Sequence, residues 1–288
     1  MIVVFGSINL DLIFSVPHIP VPGETVLGPS VRIEPGGKGA NQAVAAARDG
    51  AKVIMAGAVG RDALAAGALR LLESAGVDLT RVKATEDATG CAAIAVDPAG
   101  RNAIVVGSGA NLRVTHDQIE DALLGPETVL VLQMEVPAAE TAALIARAKA
   151  RGARIVLNLA PAASLPKAAL RALDLLIVNE TEAVWLATGL GCGPDAPALT
   201  AALGVATLRT LGAGGVETAT ARIPARPVVP MDTTAAGDCF VGVLASALDR
   251  GASLAAAIHR ANVAASLCCM RPGSQSSIPA GPETDAAL

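Results

Sequence analysis

Apolar positions along the chain fall into two alternating rhythms. Short runs rich in valine, isoleucine and leucine are followed by longer alanine- and leucine-rich stretches with the spacing of a helix face. The short runs read as strands buried on both sides, and the longer ones as helices packed onto them. Strands are expected at residues 2–5, 52–58, 129–133, 154–158, 175–178 and 206–210. Helices are expected at 38–48, 63–74, 138–150, 180–189, 196–203, 236–250 and 253–270, with Gly76 closing the second. Alternation of this kind builds an α/β fold around a mostly parallel sheet.

Two stretches break the rhythm. Residues 8–33 and 82–106 read as short strands joined by turns, among them Gly23-Glu24-Thr25-Val26 as a strand and Pro98-Ala99-Gly100 as a hairpin turn. Together they are expected to form a small β-layer over one edge of the main sheet, where such a layer serves as a lid. At 288 residues the chain fits one large domain carrying that insert. The tail, 281–288, is expected to be loosely held.

Composition then removes whole classes of function. Hydrophobic residues make up 52% of the chain, ample for a core, but aromatic residues only 1%: Phe5, Phe14, Phe240 and Trp185, with no tyrosine. The core must be aliphatic, and platforms for stacking single-stranded nucleic acid are missing. A net charge of −4 offers no basic footprint for nucleic acid or an anionic membrane. No apolar run is long enough to span a bilayer, and Asp11 interrupts the first one too early for a signal peptide. Cys91, Cys192, Cys239, Cys268 and Cys269 show no C-x-x-C spacing. Reduced thiols in a cytoplasmic protein are expected, rather than a disulfide framework or a zinc site.

Candidate chemistry concentrates in Asp232-Thr233-Thr234-Ala235-Ala236-Gly237-Asp238, where small residues lead into a helix. The first N–H groups of a helix lack partners and carry partial positive charge, so they attract anions. Asp238, placed there without bulky neighbours, suggests a base working beside a phosphoryl group. Gly36-Gly37-Lys38-Gly39-Ala40-Asn41-Gln42 precedes another helix but is not a P-loop, and no strand leads into a dinucleotide fingerprint. Its glycines admit a small ligand to the backbone, with Lys38 and Asn41 as donors, which suits a polyhydroxyl compound. Asn9 and Asp11 alternate with Leu10 and Leu12, so an amide and a carboxylate share one strand face and can hold a vicinal diol.

Glu135, Asn158, Asn179 and Glu182 follow the carboxyl ends of successive strands, where ligands gather in open α/β sheets. Asn179 and Glu182, at i and i+3, share a helical face and suit water-bound magnesium, with a plain N-cap as the other reading of Asn179. Thr210-Leu211-Gly212-Ala213-Gly214-Gly215 ends a strand in a turn that can offer N–H groups to phosphates or simply reverse the chain.

Together these motifs resemble the sugar kinases of the ribokinase (PfkB) family over nearly the whole chain, from Gly6-Ser7-Ile8-Asn9-Leu10-Asp11 to Gly273-Ser274-Gln275. Pro22-Gly23-Glu24-Thr25, the Gly36–Ala43 motif, Asn179-Glu180-Thr181-Glu182 and the Asp232–Asp238 motif carry the likeness. The resemblance implies a three-layer α/β/α fold with a central, mostly parallel sheet and a small β lid. It implies ATP-dependent phosphorylation of a sugar's terminal hydroxyl. Gly-Gly-Lys-Gly-Ala-Asn and Ala-Ala-Gly lean toward ribose, with fructose, deoxyribose, a keto-deoxy sugar acid or a nucleoside as alternatives. Scarce aromatic walls speak against a nucleoside, while Arg32 or Arg101 keeps the sugar acid open. A non-catalytic sugar-binding protein on this fold would have no reason to keep Asp238 with its Ala-Ala-Gly loop.

By the same resemblance, Asp238 is the base, and the N–H groups of Ala235, Ala236 and Gly237 form the anion hole. Asn9, Asp11, Gly37, Lys38, Asn41 and Glu135 bind the sugar. Asn179 and Glu182 position magnesium-bound water around ATP. Thr210, Gly212 and Gly237 line the nucleotide site, with Asn262 near the adenine. Asp232 and Thr234, with backbone from Arg271, Gly273 and Ser277, hold a monovalent cation, typically potassium. The lid also joins two copies into a homodimer. The chain departs from the family pattern at Asn158-Leu159-Ala160-Pro161-Ala162, which is often Asn-Pro-Ala-Pro-Ala, at Thr234 in place of a frequent isoleucine, and at Arg271-Pro272-Gly273.

Overall fold

The computed structural model describes all 288 residues. In chain order the first half holds β1 (Ile2–Phe5), β2 (Asn9–Ser15), β3 (Ser30–Gly36), α1 (Lys38–Arg48), β4 (Val53–Gly60), α2 (Ala63–Ser74), β5 (Asp78–Thr85), β6 (Gly90–Val96), β7 (Asn102–Gly107), β8 (Val129–Leu132) and α3 (Ala138–Arg151). The second half holds β9 (Arg154–Asn158), α4 (Lys167–Arg171), β10 (Leu175–Val178), α5 (Glu180–Leu190), α6 (Ala196–Leu203), β11 (Ala206–Thr210), β12 (Val216–Glu217), β13 (Arg222–Ile223), α7 (Ala236–Asp249), α8 (Leu254–Cys268) and α9 (Gly281–Asp285).

Nine strands form the main sheet in the order β13-β12-β11-β10-β9-β8-β1-β4-β5, parallel from β11 to β5, with β12 and β13 antiparallel at one edge. Side chains alternate across each strand, so the sheet feeds two cores. Ile2 and Val4 point into one with α1, α2, α7 and α8, whereas Val3 and Phe5 point into the other with α3, α4, α5 and α6. The result is the expected three-layer α/β/α arrangement. Of the four aromatics, Phe5 and Phe240 are buried, while Phe14 and Trp185 stand 38% and 42% exposed.

A second sheet, ordered β3-β2-β6-β7, stands apart from the first. Phe14, Val31, Ile33 and Val105 lie on it as exposed apolar side chains. Its extent differs from the sequence expectation of 8–33 and 82–106. Asp78–Thr85 pairs with β4 as the last strand of the main sheet, so the second half of the small sheet begins at Gly90, and Gly23–Val26 is not a strand. The tail also differs. Gly281 and Thr284 are buried in α9, Arg260 holds Asp285 at 2.5 Å, and Arg271 pairs with Glu283.

One contact in this frame prepares the site. A Cβ on Gly242 of α7 would lie 2.4 Å from the Gln42 carbonyl oxygen of α1. With Ala40, Ala43, Ala45 and Ala46 almost wholly buried on α1, the two helices meet at backbone distance. The start of one helix is thereby pressed against the start of the other.

Candidate active site

Parallel pairing sets the carboxyl ends of β1, β8 and β9 side by side, with Phe5, Leu132 and Leu157 in register. The chain leaves β1 through Gly6-Ser7 and returns at Gly37, whose φ of +87° favours glycine and whose Cβ would lie 2.8 Å from the Asn9 nitrogen. Ser7 Oγ donates to Glu135 Oε2 at 2.5 Å, and the Lys38 N–H donates to the same oxygen at 3.0 Å. Glu135 thus ties the segment after β8 to the turn that opens α1.

Asp238 sits in the first turn of α7, 7% exposed. Asn41 Nδ2 donates to its Oδ2 and Gln42 Nε2 to its Oδ1, each at 2.9 Å. Ala235 caps the helix in the left-handed region at φ 58°, where an alanine is strained. The N–H groups of Ala235, Gly237 and Asp238 find no acceptor within the protein. Ala236 differs from the expectation for it, because its N–H turns back to Thr233 O at 3.3 Å and the outward set gains Asp238's own N–H instead. Space beside Gly237 is open, with no heavy atom within 4 Å of where a Cβ would stand. Unpaired donors at a helix start beside a carboxylate are what an incoming anion and a hydroxyl donor require.

Charge is crowded around this point. Antiparallel pairing sets Asp11 opposite Glu34. Asp11 is 8% exposed, and its Oδ1 has no partner. Burial, then Glu135, Glu34 and Asp238, push its carboxyl up to about 7 against the pull of Lys38. Asp238, opposed by burial and aided by Glu135, Glu182 and Asp11, holds the Lys38 ammonium above its ordinary value. Asn41 Oδ1 is also buried without a partner, while Asn9 Oδ1 already accepts from Asn111 Nδ2 at 2.7 Å. Unpartnered buried acceptors are costly, and a ligand rich in hydroxyl groups relieves them.

The profile of the pfkB family of carbohydrate kinases matches residues 1–281. The chain belongs to that family. It is 38% identical over 294 residues to a ribokinase of Haemophilus influenzae, covering 98% of this chain and 96% of that protein. Its fold matches the crystal structure of ribokinase from Thermotoga maritima with a TM-score of 0.91 at 32% identity, over 100% of this chain and 98% of that one. Ribokinase of Arabidopsis thaliana, solved with ribose and ATP, matches with a TM-score of 0.87 at 27% identity, over 99% and 97% of the two chains.

The remaining predicted positions of this carbohydrate kinase divide into two groups. Toward β10 and β11, Asn179 is the exposed N-cap of α5, and its side chain and that of Glu182 form a reciprocal cap, each accepting a backbone N–H of the other at 2.8 Å. Burial raises the Glu182 carboxyl, with the Asn179 hydrogen bond and Lys38 opposing. Thr210 Oγ1 reaches Val178 O at 3.4 Å, and Gly212 opens an exposed turn at φ +52°. Asn262 spends its amide on the carbonyls of Ile223 and Pro224, so it braces the segment after β13.

Below the anion loop, Asp232 accepts from the N–H of Thr234 at 2.9 Å and of Gly273 at 3.0 Å. Burial works against its ionisation, but these hydrogen bonds outweigh it and hold the carboxyl below its usual range. Ser277 Oγ donates to Ser274 O, and the Arg271 side chain turns to Glu283. Glu34 accepts from Ser274 N, and Ser274 Oγ donates to Pro35 O, which fastens β3 to this loop.

Sequence reasoning passed over Gln42, Gln133, Ser7, Glu34 and Asn111 as site residues. Gln42 lay inside a motif already singled out. Asn111 carries no local signal, since its partners Ile8 and Asn9 are about a hundred residues away in the chain.

Proposed function

We propose that this carbohydrate kinase transfers the γ-phosphoryl group of ATP to the terminal hydroxyl of ribose, in the cytoplasm. One observation carries the reading: Asp238 is gripped by Asn41 and Gln42 at a helix start whose first N–H groups have no acceptor in the protein. The relatives called ribokinase favour ribose as the acceptor. Asp11, Asn41 and Lys38 hold the sugar's hydroxyl groups, with Asn9 and Glu135 completing the wall. Asp238 accepts the proton of the attacking hydroxyl, and the N–H groups of Ala235, Gly237 and Asp238 meet the charge gathering on the phosphoryl oxygens. Because the family's chemistry depends on placement more than on covalent help, the rigid seat of Asp238 is the protein's main contribution. The small sheet closes over the sugar and keeps water from accepting the phosphoryl group.

The reaction as proposed calls for two ions. A magnesium ion carried by the nucleotide would keep most of its hydration, with Asn179 and Glu182 holding its water shell. When bound it neutralises phosphate charge. Asp232, whose carboxyl is held ionised by the N–H groups of Thr234 and Gly273, would hold a singly charged ion such as potassium together with Thr234 and the backbone of Arg271, Gly273 and Ser277. The exposed apolar residues Phe14, Val31, Ile33 and Val105 support pairing of two copies through the small sheet.

The test is a coupled ADP-release assay across ribose, 2-deoxyribose, fructose, keto-deoxy sugar acids and nucleosides. Ribose should show the highest kcat/KM. A higher value for another acceptor replaces the sugar assignment, and the absence of any acceptor-dependent ADP release overturns the kinase reading.

A further inference from the structure

A chain of buried amides backs Asp238. Gln42 and Gln133 are fully buried and Asn158 is 8% exposed. Gln133 Nε2 donates to Gln42 Oε1 at 2.7 Å. Gln42 Nε2 donates to Asp238 Oδ1 at 2.9 Å and to Asn158 Oδ1 at 3.1 Å, and Asn158 Nδ2 donates to Ile177 O at 3.4 Å. Both ends polarise the chain. The Ile177 carbonyl can only accept, which turns the Asn158 oxygen toward Gln42. An ionised Asp238 can only accept, which turns the Gln42 NH2 group toward it and leaves the Gln42 oxygen for Gln133. Reversing any one amide would set oxygen against oxygen or NH2 against NH2 where no water can intervene.

We infer that Gln42, oriented by Gln133 and Asn158, is a positioning residue that fixes the rotation of the Asp238 carboxylate through turnover. A carboxylate turns easily about its last torsion, so holding it requires a grip on both oxygens. Asn41 grips Oδ2, but Asn41 borders the sugar space and its own Oδ1 awaits a partner, so its contacts change as the sugar arrives and leaves. Gln42 touches no ligand and grips Oδ1 throughout. It thereby leaves the lone pair that is not engaged by an amide facing the attacking hydroxyl. Nothing in the sequence near Gln133 marks it, because its role passes entirely through Gln42.

The inference rests on Asp238 being the base, but on no particular sugar. Gln42→Met keeps the volume and removes the donor. With whichever sugar the wild type turns over, kcat should fall about 10- to 100-fold, the scale of a misplaced catalytic group. KM should stay within about threefold, because Gln42 is fully buried and makes no contact with the sugar. Gln133→Leu touches neither Asp238 nor a ligand, yet withdraws the donor that holds Gln42 Oε1. It should lower kcat by less than Gln42→Met does, leave KM unchanged, and add nothing in a Gln42→Met background. Unchanged kcat in folded Gln42→Met, or a full additional loss in the double variant, would overturn the inference. A crystal structure of Gln42→Met provides a reading free of any sugar: a rotated Asp238 carboxylate supports the inference, and an unrotated one refutes it. A wild type inactive on every acceptor would instead strike the proposed reaction alone.

Discussion

Replacing Asp11 by asparagine should stabilise the fold, by an amount that grows with pH. The carboxyl lies 8% exposed opposite Glu34, lacks a donor for Oδ1, and is pushed by burial and by Glu135, Glu34 and Asp238 from 3.8 to about 7. Unfolding returns it to its ordinary value. Below about pH 4 both states hold the proton, and the group makes no difference. From there to about pH 7 the folded protein keeps a proton that the unfolded chain releases, so stability falls as pH rises. Above about pH 7 the loss is complete. A displacement of about three pK units corresponds to roughly 4 kcal/mol. Asparagine matches the shape without the charge, so Asp11→Asn removes the penalty. Urea unfolding of both proteins at about pH 5, 6, 7 and 8 measures it, and the advantage of the variant should widen by roughly 3 kcal/mol across that range. Saturating sugar should narrow the gap, because hydroxyl donors on Asp11 favour its ionised form. A difference that stays flat with pH would refute the argument, for Asp11 would then ionise as readily inside the fold as outside it. Ribose affinity should move the other way, falling in the variant, as expected where a strained site serves binding.

Asp238→Asn should fold and bind sugar by calorimetry while kcat drops by about 10³ or more, and near-native turnover would remove Asp238 as the base. Rates in potassium, sodium and choline salts at fixed ionic strength should rank potassium first, and equal rates in all three would dismiss a cation at Asp232. Placing a charge on the small sheet with Ile33→Glu, 59% exposed in the wild type, should shift sedimentation from dimer to monomer, whereas an unchanged sedimentation coefficient would rule this sheet out as the contact.

Elements with local signals were readable before any coordinates. The helices over Ala63–Ser74 and Ala196–Leu203 begin at the caps Asp62 and Asp195, Leu175–Val178 is an unbroken apolar run, and Arg154–Asn158 has a buried apolar centre of Ile155, Val156 and Leu157. Strand Asp78–Thr85 was misplaced because it is an edge strand whose polar residues face water and whose pairing with β4 supplies its only instruction. The helix over Gly281–Asp285 hid for a related reason, since Arg260 and Arg271, which anchor it, come from α8 and the loop after it. In the site, residues clustered along the chain, such as Lys38 with Asn41 and Asp232 with Asp238, could be found from motif chemistry. Gln133 and Asn158 meet Gln42 only after the sheet has brought β8 and β9 beneath α1. Asp11 could be marked as a polar strand residue, but its shifted ionisation needed Glu34, which arrives across a sheet pairing.

The half-exposed indole of Trp185 has a practical consequence. The chain holds one tryptophan and no tyrosine, so ultraviolet emission comes from a single place. That place is on α5, about 9 Å along the helix axis from the cap formed by Asn179 and Glu182. Nucleotide binding against that cap should therefore change the intensity or colour of the native fluorescence. With the nucleotide at that cap as proposed, stopped-flow fluorescence of the unlabelled, unaltered protein should report ATP binding.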